Sequence, residues 1–162
     1  MKRIYSVLVE NRAGVLSKVA GLFWRRGFNI ESLAVGETDD PKVSNMIIVS
    51  SGEGHILEQI EKQLNKKIDV IKVKTFAESE SVCRELLLIK LRYTRANRKD
   101  IIETCQLMDA TIIDLSESMM TIQICDTPEH VNNFMNMLKK FRIVEITRTG
   151  TLALTKCTES AL

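Results

Sequence analysis

The apolar residues of this chain change period in the same order twice, and that recurrence limits the possible folds more than any single motif. Ile4 to Glu10 carries β-branched and aromatic residues and stops at a turn signal, Asn11-Arg12-Ala13-Gly14. From Val15 the period is helical. Val15, Val19, Leu22 and Phe23 share one face with Leu16 and Ala20 beside them, and Gly27 stands where a left-handed C-terminal cap belongs. Ile30 to Val35 and Asn45 to Ser50 then read as strands of a hairpin around Thr38-Asp39-Asp40-Pro41. Ile56, Leu57, Ile60 and Leu64 give a second amphipathic helix, and Asp69 to Thr75 a closing strand with lysines on its wet face.

After Ala77 to Ser81 the order starts again. Arg84 to Tyr93 is a strand, Asn97 to Met108 a helix, and Thr111 to Leu115 and Met119 to Cys125 are strands. Thr127-Pro128-Glu129 is a helix start with proline at the first helical position, and Ile143 to Thr149 is the last strand. The expected class is therefore α+β, as two ferredoxin-like βαββαβ domains in tandem. We place the first domain at residues 1–76, a linker at 77–83 and the second domain at 84–162. The first strand is apolar on both faces, with Tyr5, Val7 and Val9 on one and Ile4 and Leu8 on the other. Two helices cover only one face of a sheet, so the other half of the chain or a second subunit must cover the other. A homodimer is the expectation, cyclic dimers being the commonest oligomer.

Composition excludes several function classes. A net charge of +2, with 27% charged residues, is too small for a phosphate-backbone partner, so no nucleic-acid role is expected. No apolar run approaches the ~20 residues needed to cross a bilayer, so no membrane role is expected either. Cys83, Cys105, Cys125 and Cys157 stand far apart with no C-x-x-C pair, which fits a reduced cytoplasmic protein with buried thiols and no metal site. His55 and His130 each open a helix and read as surface residues. No G-x-G-x-x-G, P-loop, G-x-S-x-G or H-E-x-x-H sequence is present, so no catalytic residue is assigned.

What remains is the turn before the first helix. Asn11 offers a side-chain amide, and Gly14 leaves room where the unpaired N–H groups of a helix start, at Val15 and Leu16, point outward. The positive end of the helix dipole adds to the attraction for a carboxylate. Asn and Gly are equally ordinary turn and cap residues, so spacing leaves both readings open. Asn29, entering the second strand before Ile30, would bring another amide to this site from the neighbouring copy in a dimer. Trp24 shares a face with Ser17 and Gly21, where a second subunit could pack or the domain's own loop could lie. The basic clusters Arg92, Arg95, Arg98, Lys99 and Lys139, Lys140, Arg142 are either solvated surface or a docking face.

The strings Arg3-Ile4-Tyr5-Ser6-Val7-Leu8-Val9-Glu10-Asn11, Gly14-Val15-Leu16-Ser17 and Gly27-Phe28-Asn29-Ile30-Glu31-Ser32-Leu33 resemble the N-terminal ACT domain of the small, regulatory subunits of acetohydroxyacid (acetolactate) synthase. The resemblance continues through Arg84-Glu85-Leu86, Ile113-Asp114 and Val144 to Gly150, so it spans essentially the whole chain. Ala13 departs from the proline or serine of many relatives, and Lys156 from a common arginine.

The resemblance implies a non-catalytic subunit that activates the large catalytic subunit and confers feedback inhibition by valine or another branched-chain amino acid. It also implies dimerisation through the ACT domain, with the effector held by Asn11, Gly14, Val15, Leu16, Asn29 and Ile30. No cofactor is expected on this chain, since thiamine diphosphate, Mg²⁺ and FAD belong to the catalytic subunit. The second domain is expected to carry activation. The alternative is a stand-alone ACT regulator of another enzyme or of transcription, but no helix pair here has the short turn of a DNA-reading motif.

Overall fold

A computed structural model describes residues 2–157. The described backbone groups into two compact units, one of residues 2–82 joined by residues 151–157, the other Cys83–Gly150.

In the first unit, β1 (Lys2–Glu10) is central in a four-stranded antiparallel sheet. It pairs on one side with β3 (Val43–Ser51), which pairs in turn with β2 (Ser32–Glu37), and on the other side with β4 (Val70–Phe76). Helices α1 (Val15–Arg25) and α2 (Gly54–Leu64) lie on one face. Tyr5, Val7, Val9, Met46 and Ile48 meet Val19, Leu22, Phe23, Leu57, Ile60 and Leu64 there. The Tyr5 hydroxyl donates to the Leu57 carbonyl at 2.9 Å, so the one polar atom of that side chain is satisfied within the core. Burial pushes its pKa up to about 12.

The cap at the end of α1 follows the sequence expectation. Gly27 has φ +67°, Phe28 N–H donates to Phe23 O, and Gly27 N–H donates to Trp24 O. This is the Schellman pattern, and the Phe23 and Phe28 rings meet edge-on at 6.4 Å as its hydrophobic contact. The cap carries the chain into β2, which starts at Ser32 rather than Ile30.

Ile4, Ile47, Val49 and Phe76 occupy the opposite sheet face and are nevertheless buried. We expected the other half of the chain or a second subunit to cover this face. A single chain already buries these side chains, and Thr151 N–H donates to Ser32 Oγ at 2.8 Å on the Val49 side of the sheet. The expected boundaries therefore differ from the observed units. Residues 151–157 group with the first unit instead of the second, and residues 158–162 of the expected second domain lie outside the described residues. The segment taken as a linker holds a 3-10 turn at Glu78–Glu80 and the first residues of β5 (Ser81–Arg92). Lys156 holds that turn through N–H to Glu80 O at 3.0 Å and Nζ to Ser79 O at 2.7 Å.

The second unit repeats the plan with β5 central between β7 (Met119–Asp126) and β8 (Arg142–Arg148), and β6 (Thr111–Leu115) outside β7. A short strand missed in the sequence, β9 (Leu152–Thr155), pairs with β5. Its four residues are too few to show a period. Leu87, Ile89, Leu91, Met120, Ile122 and Ile124 pack against Ile101 and Cys105 of α3 (Arg98–Leu107) and Val131, Phe134 and Leu138 of α4 (Pro128–Leu138). Thr127 caps α4 by accepting from His130 N–H, with Pro128 at the first position, as its sequence requires.

One ion pair crosses this core edge. Glu85, only 3% exposed, accepts two bonds from Arg148, Nε at 2.6 Å and Nη2 at 2.9 Å, and Arg148 also donates to Asn132 Oδ1 at 3.0 Å. Removing one partner of such a pair leaves the other charge desolvated. Arg148→Met, which leaves the buried Glu85 carboxylate without its cation, is expected to cost about 3 kcal/mol in urea unfolding. A loss below about 0.5 kcal/mol, the ordinary range for a surface substitution, would contradict this reading.

Candidate functional site

The turn between β1 and α1 is open surface. Gly14 takes φ +85°, the left-handed region that glycine enters without strain, and an added Cβ there would meet no atom within 4 Å. Gly14 O accepts from Lys18 N–H at 3.0 Å, which starts the helical ladder, and Val15 N–H donates back to Arg12 O at 3.3 Å. Leu16 and Ser17 N–H find no acceptor among the described residues. They are the free donors that a helix start presents to an anion. Val15, expected to contribute its N–H, turns its side chain into the core and has its N–H occupied, whereas the Leu16 side chain is 43% exposed beside the turn.

Asn11 differs in detail from the expectation. Its Nδ2 donates to Glu37 Oε1 at 3.0 Å and to Pro41 O at 2.9 Å, and its backbone N–H donates to Lys42 O at 2.7 Å. Both Nδ2 partners are pure acceptors, so the amide orientation is forced. The atom left for a ligand is Oδ1, an acceptor, and a carboxylate would be repelled there. Asn11 Oδ1 could accept from an ammonium group, and the Leu16 and Ser17 N–H groups could donate to an anion.

Asn29 and Ile30 lie beyond the other end of α1. Eleven helical residues span ~16 Å, so within one chain they cannot share a small ligand with Gly14. Asn29 is exposed, with its carbonyl accepting from Ser50 Oγ at 2.7 Å, while Ile30 is half-buried against the core.

The residue that sequence reasoning passed over is Asp69. It is 7% exposed, accepts from Arg12 Nη2 at 3.0 Å and Lys18 Nζ at 2.7 Å, and its carbonyl accepts from Glu10 N–H at 3.0 Å. Arg12 also pairs with Glu10. The signal was available, because in a βαββαβ sheet the start of the last strand lies antiparallel beside the end of the first.

Elsewhere the chemistry is sparse. Cys83 and Cys105 are buried but Cys125 and Cys157 are exposed, so the expectation of buried thiols fails for two of the four. Burial raises the Cys105 pKa to about 11, which makes it a poor nucleophile. His55 lies 3.4 Å from Glu53 and His130 3.7 Å from Asp126, neither beside a nucleophile. Among the described residues no group of three His, Cys, Asp or Glu could hold a metal, and no helix is long and apolar enough to cross a membrane. A depression of about 280 Å³ on the second sheet is lined by Leu88, Lys90, Asp114, Thr121, Glu145 and Thr147, with Lys90 spent on Glu145 at 2.9 Å.

The Lys18 hydrogen bond, aided by both cations' charge, holds the Asp69 carboxyl below its usual pKa. A depressed folded-state pKa adds stability above the unfolded carboxylate value, near 3.9, and that contribution is lost as pH falls through the folded value. Melting temperatures of the natural chain and Asp69→Asn should therefore differ at neutral pH and converge as pH drops to about 2. A gap that stays constant over that range would show that the ion pairs contribute nothing.

Two family models match, that of the AHAS small subunit-like ACT domain over residues 5–72 and that of the small subunit of acetolactate synthase over residues 84–157. The chain is 46% identical to the acetolactate synthase small subunit of Mycolicibacterium smegmatis, covering 93% of this chain and 89% of that one. With the Haemophilus influenzae small subunit it shares 43% identity over 96% of each. The crystal structure of the Thermotoga maritima acetolactate synthase small subunit superposes with a TM-score of 0.91 at 37% identity, covering 98% of this chain and 99% of that one. With a ferredoxin-like unit in each half and an ACT domain in the first, the chain belongs to the family of acetolactate synthase small subunits.

Proposed function

We propose that this chain is a non-catalytic regulatory subunit that binds the large catalytic subunit of acetolactate synthase, activates it, and makes it sensitive to valine or another branched-chain amino acid. The thiamine diphosphate, Mg²⁺ and FAD of the reaction reside on the catalytic subunit, and the complex is cytoplasmic. The observation that carries the effector half of this reading is the complementary pair at the β1–α1 turn. Leu16 and Ser17 offer free donors for a carboxylate, and Asn11 Oδ1 offers an acceptor for an ammonium. An α-amino acid, which carries its ammonium and its carboxylate on one carbon, has the two groups that such a donor and acceptor pair would bind.

The length of α1 supports a homodimer built through the ACT domain. If a ligand touches the Gly14 turn and also Asn29 and the Ile30 backbone, the two sets come from different copies. A two-fold axis across antiparallel α1 helices brings the start of one beside the end of the other. The outward face of α1 suits such packing, since Ser17 and Gly21 are small and Trp24 is 81% exposed. A ligand clamped between copies changes the dimer's geometry only through its unequal affinity for two arrangements, and this is how it would reach the bound enzyme.

Activation is assigned to the second half of the chain, whose basic clusters at Arg92, Arg95, Arg98 and Lys99 and at Lys139, Lys140 and Arg142 are largely exposed. The segment at residues 151–157, which groups with the first unit, cautions against cutting the chain near residue 80, so the division is best tested with the full chain.

The primary test reconstitutes the full chain with the catalytic subunit and assays acetolactate with and without valine. Increased activity, falling when valine is added, is expected; no effect on the catalytic subunit would overturn the proposal. Gly14→Asp places an anion where the carboxylate should rest; the left-handed φ of +85° strains any side chain there, and aspartate is one of the few residues that occasionally enter that region. It is expected to remove valine sensitivity, and retained sensitivity would move the site elsewhere. Deleting the ammonium provides the complementary test. In calorimetry 3-methylbutanoate, valine without its amino group, should bind at least about tenfold more weakly than valine, the cost of losing a charged hydrogen bond. Equal affinities would remove Asn11 Oδ1 from the site.

A further inference from the structure

One carboxylate joins three elements behind the effector turn. Asp69 Oδ1 accepts from Arg12, within the turn, and Oδ2 from Lys18, one helical turn into α1. Its backbone carbonyl holds Glu10 at the end of β1. The left-handed Gly14 lies between Arg12 and Lys18, so the carboxylate ties the residue before the chain reversal to the residue after it. A register shift helps place it. Leu8 pairs with Lys72 but Val9 with Val70, so Ile71 is skipped and Asp69 comes level with Glu10. Bulges of this kind re-aim the strand beside a site.

The exposures show which partner is fixed. The side chains of Arg12 and Lys18 are 62% and 60% exposed, whereas that of Asp69 is 11% exposed. The carboxylate is the anchored centre, and the two cations reach to it from either side of the Gly14 reversal. No atom lies within 4 Å of where a Gly14 Cβ would stand, so at the reversal itself the side-chain ties are those of Asn11 to the hairpin and of Arg12 and Lys18 to Asp69.

We infer that Asp69 is a positioning residue for the effector, fixing the distance between the Asn11 acceptor and the Leu16 and Ser17 donors without touching the ligand. This rests on the reading of the turn as an amino-acid site. It also opposes a simple charge argument. Were the local potential all that mattered, neutralising Asp69 would leave Arg12 and Lys18 unopposed and tighten carboxylate binding.

The test is calorimetric titration of valine into the full chain carrying Asp69→Asn, Lys18→Met or both. Each single substitution should weaken binding by about tenfold, the loss of a charge-assisted contact that shapes the site. The double should be no weaker than Asp69→Asn alone within about a factor of two, because both remove one contact. Additive losses, an unchanged Kd or tighter binding would each overturn the inference. If Asp69→Asn does not fold, Lys18→Met carries the test, its side chain being mostly in water, and an unchanged Kd there overturns it. A natural chain that binds no valine removes the underlying reading, and this inference with it. A chain that loses valine binding with Gly14→Asp but keeps it with Asp69→Asn and Lys18→Met removes this inference alone.

Discussion

Strand β1 is bonded to neighbours on both sides, and its Tyr5, Val7 and Val9 are wholly buried under two helices. Those three side chains fix the register of the strand, since a slip by one residue would turn them to the opposite face. With the register fixed, Glu10 must end level with the start of β4, and the chain must reverse within Asn11 to Gly14 to bring Val15 back over Val9. The candidate site is a consequence of that reversal. Its glycine, free N–H groups and nearby carboxylate come from geometry that the core imposes.

Much of this could be read from the sequence because it rests on local periodicity and capping. The alternation from Tyr5 to Val9, the 3.6 period from Val15, the Gly27 cap and the Thr127-Pro128 helix start each record a backbone requirement within a few residues, and each has its expected structure. The missed features depend on contacts between distant segments. Strand β9 is defined by the strand it pairs with, and the burial of Ile4 and Val49 is achieved where sequence alone could name only candidate covers. At the candidate site, the sequence offered Asn11 and Gly14 but not which end of the Asn11 amide is free, because Glu37 and Pro41 come from the hairpin 26 and 30 residues away. Asp69 was missed for the same reason. Its partners lie 57 and 51 residues back along the chain.

The second unit reuses the topology without the turn. Its first connection, from Arg92 to Arg98, contains no glycine, and Asn97 turns its side chain back to Thr94 N–H at 2.7 Å. Two copies of one architecture thus present different chemistry at equivalent places, as expected when function resides in the loops and the fold supplies only rigid support. This asymmetry favours the first unit for the proposed effector site.

The central claim is that each effector site draws on two copies of the chain, the Gly14 turn from one and Asn29 from the other. Mixing two defective variants tests it directly. Gly14→Asp and Asn29→Ala chains, each unable to bind valine alone, are unfolded together, refolded and titrated. A shared site gives mixed dimers in which one site carries both changes and the other neither, so valine binding returns in about half of the dimers, one site in each. If binding does not return although mixed dimers have formed, each site lies within a single chain and the account fails.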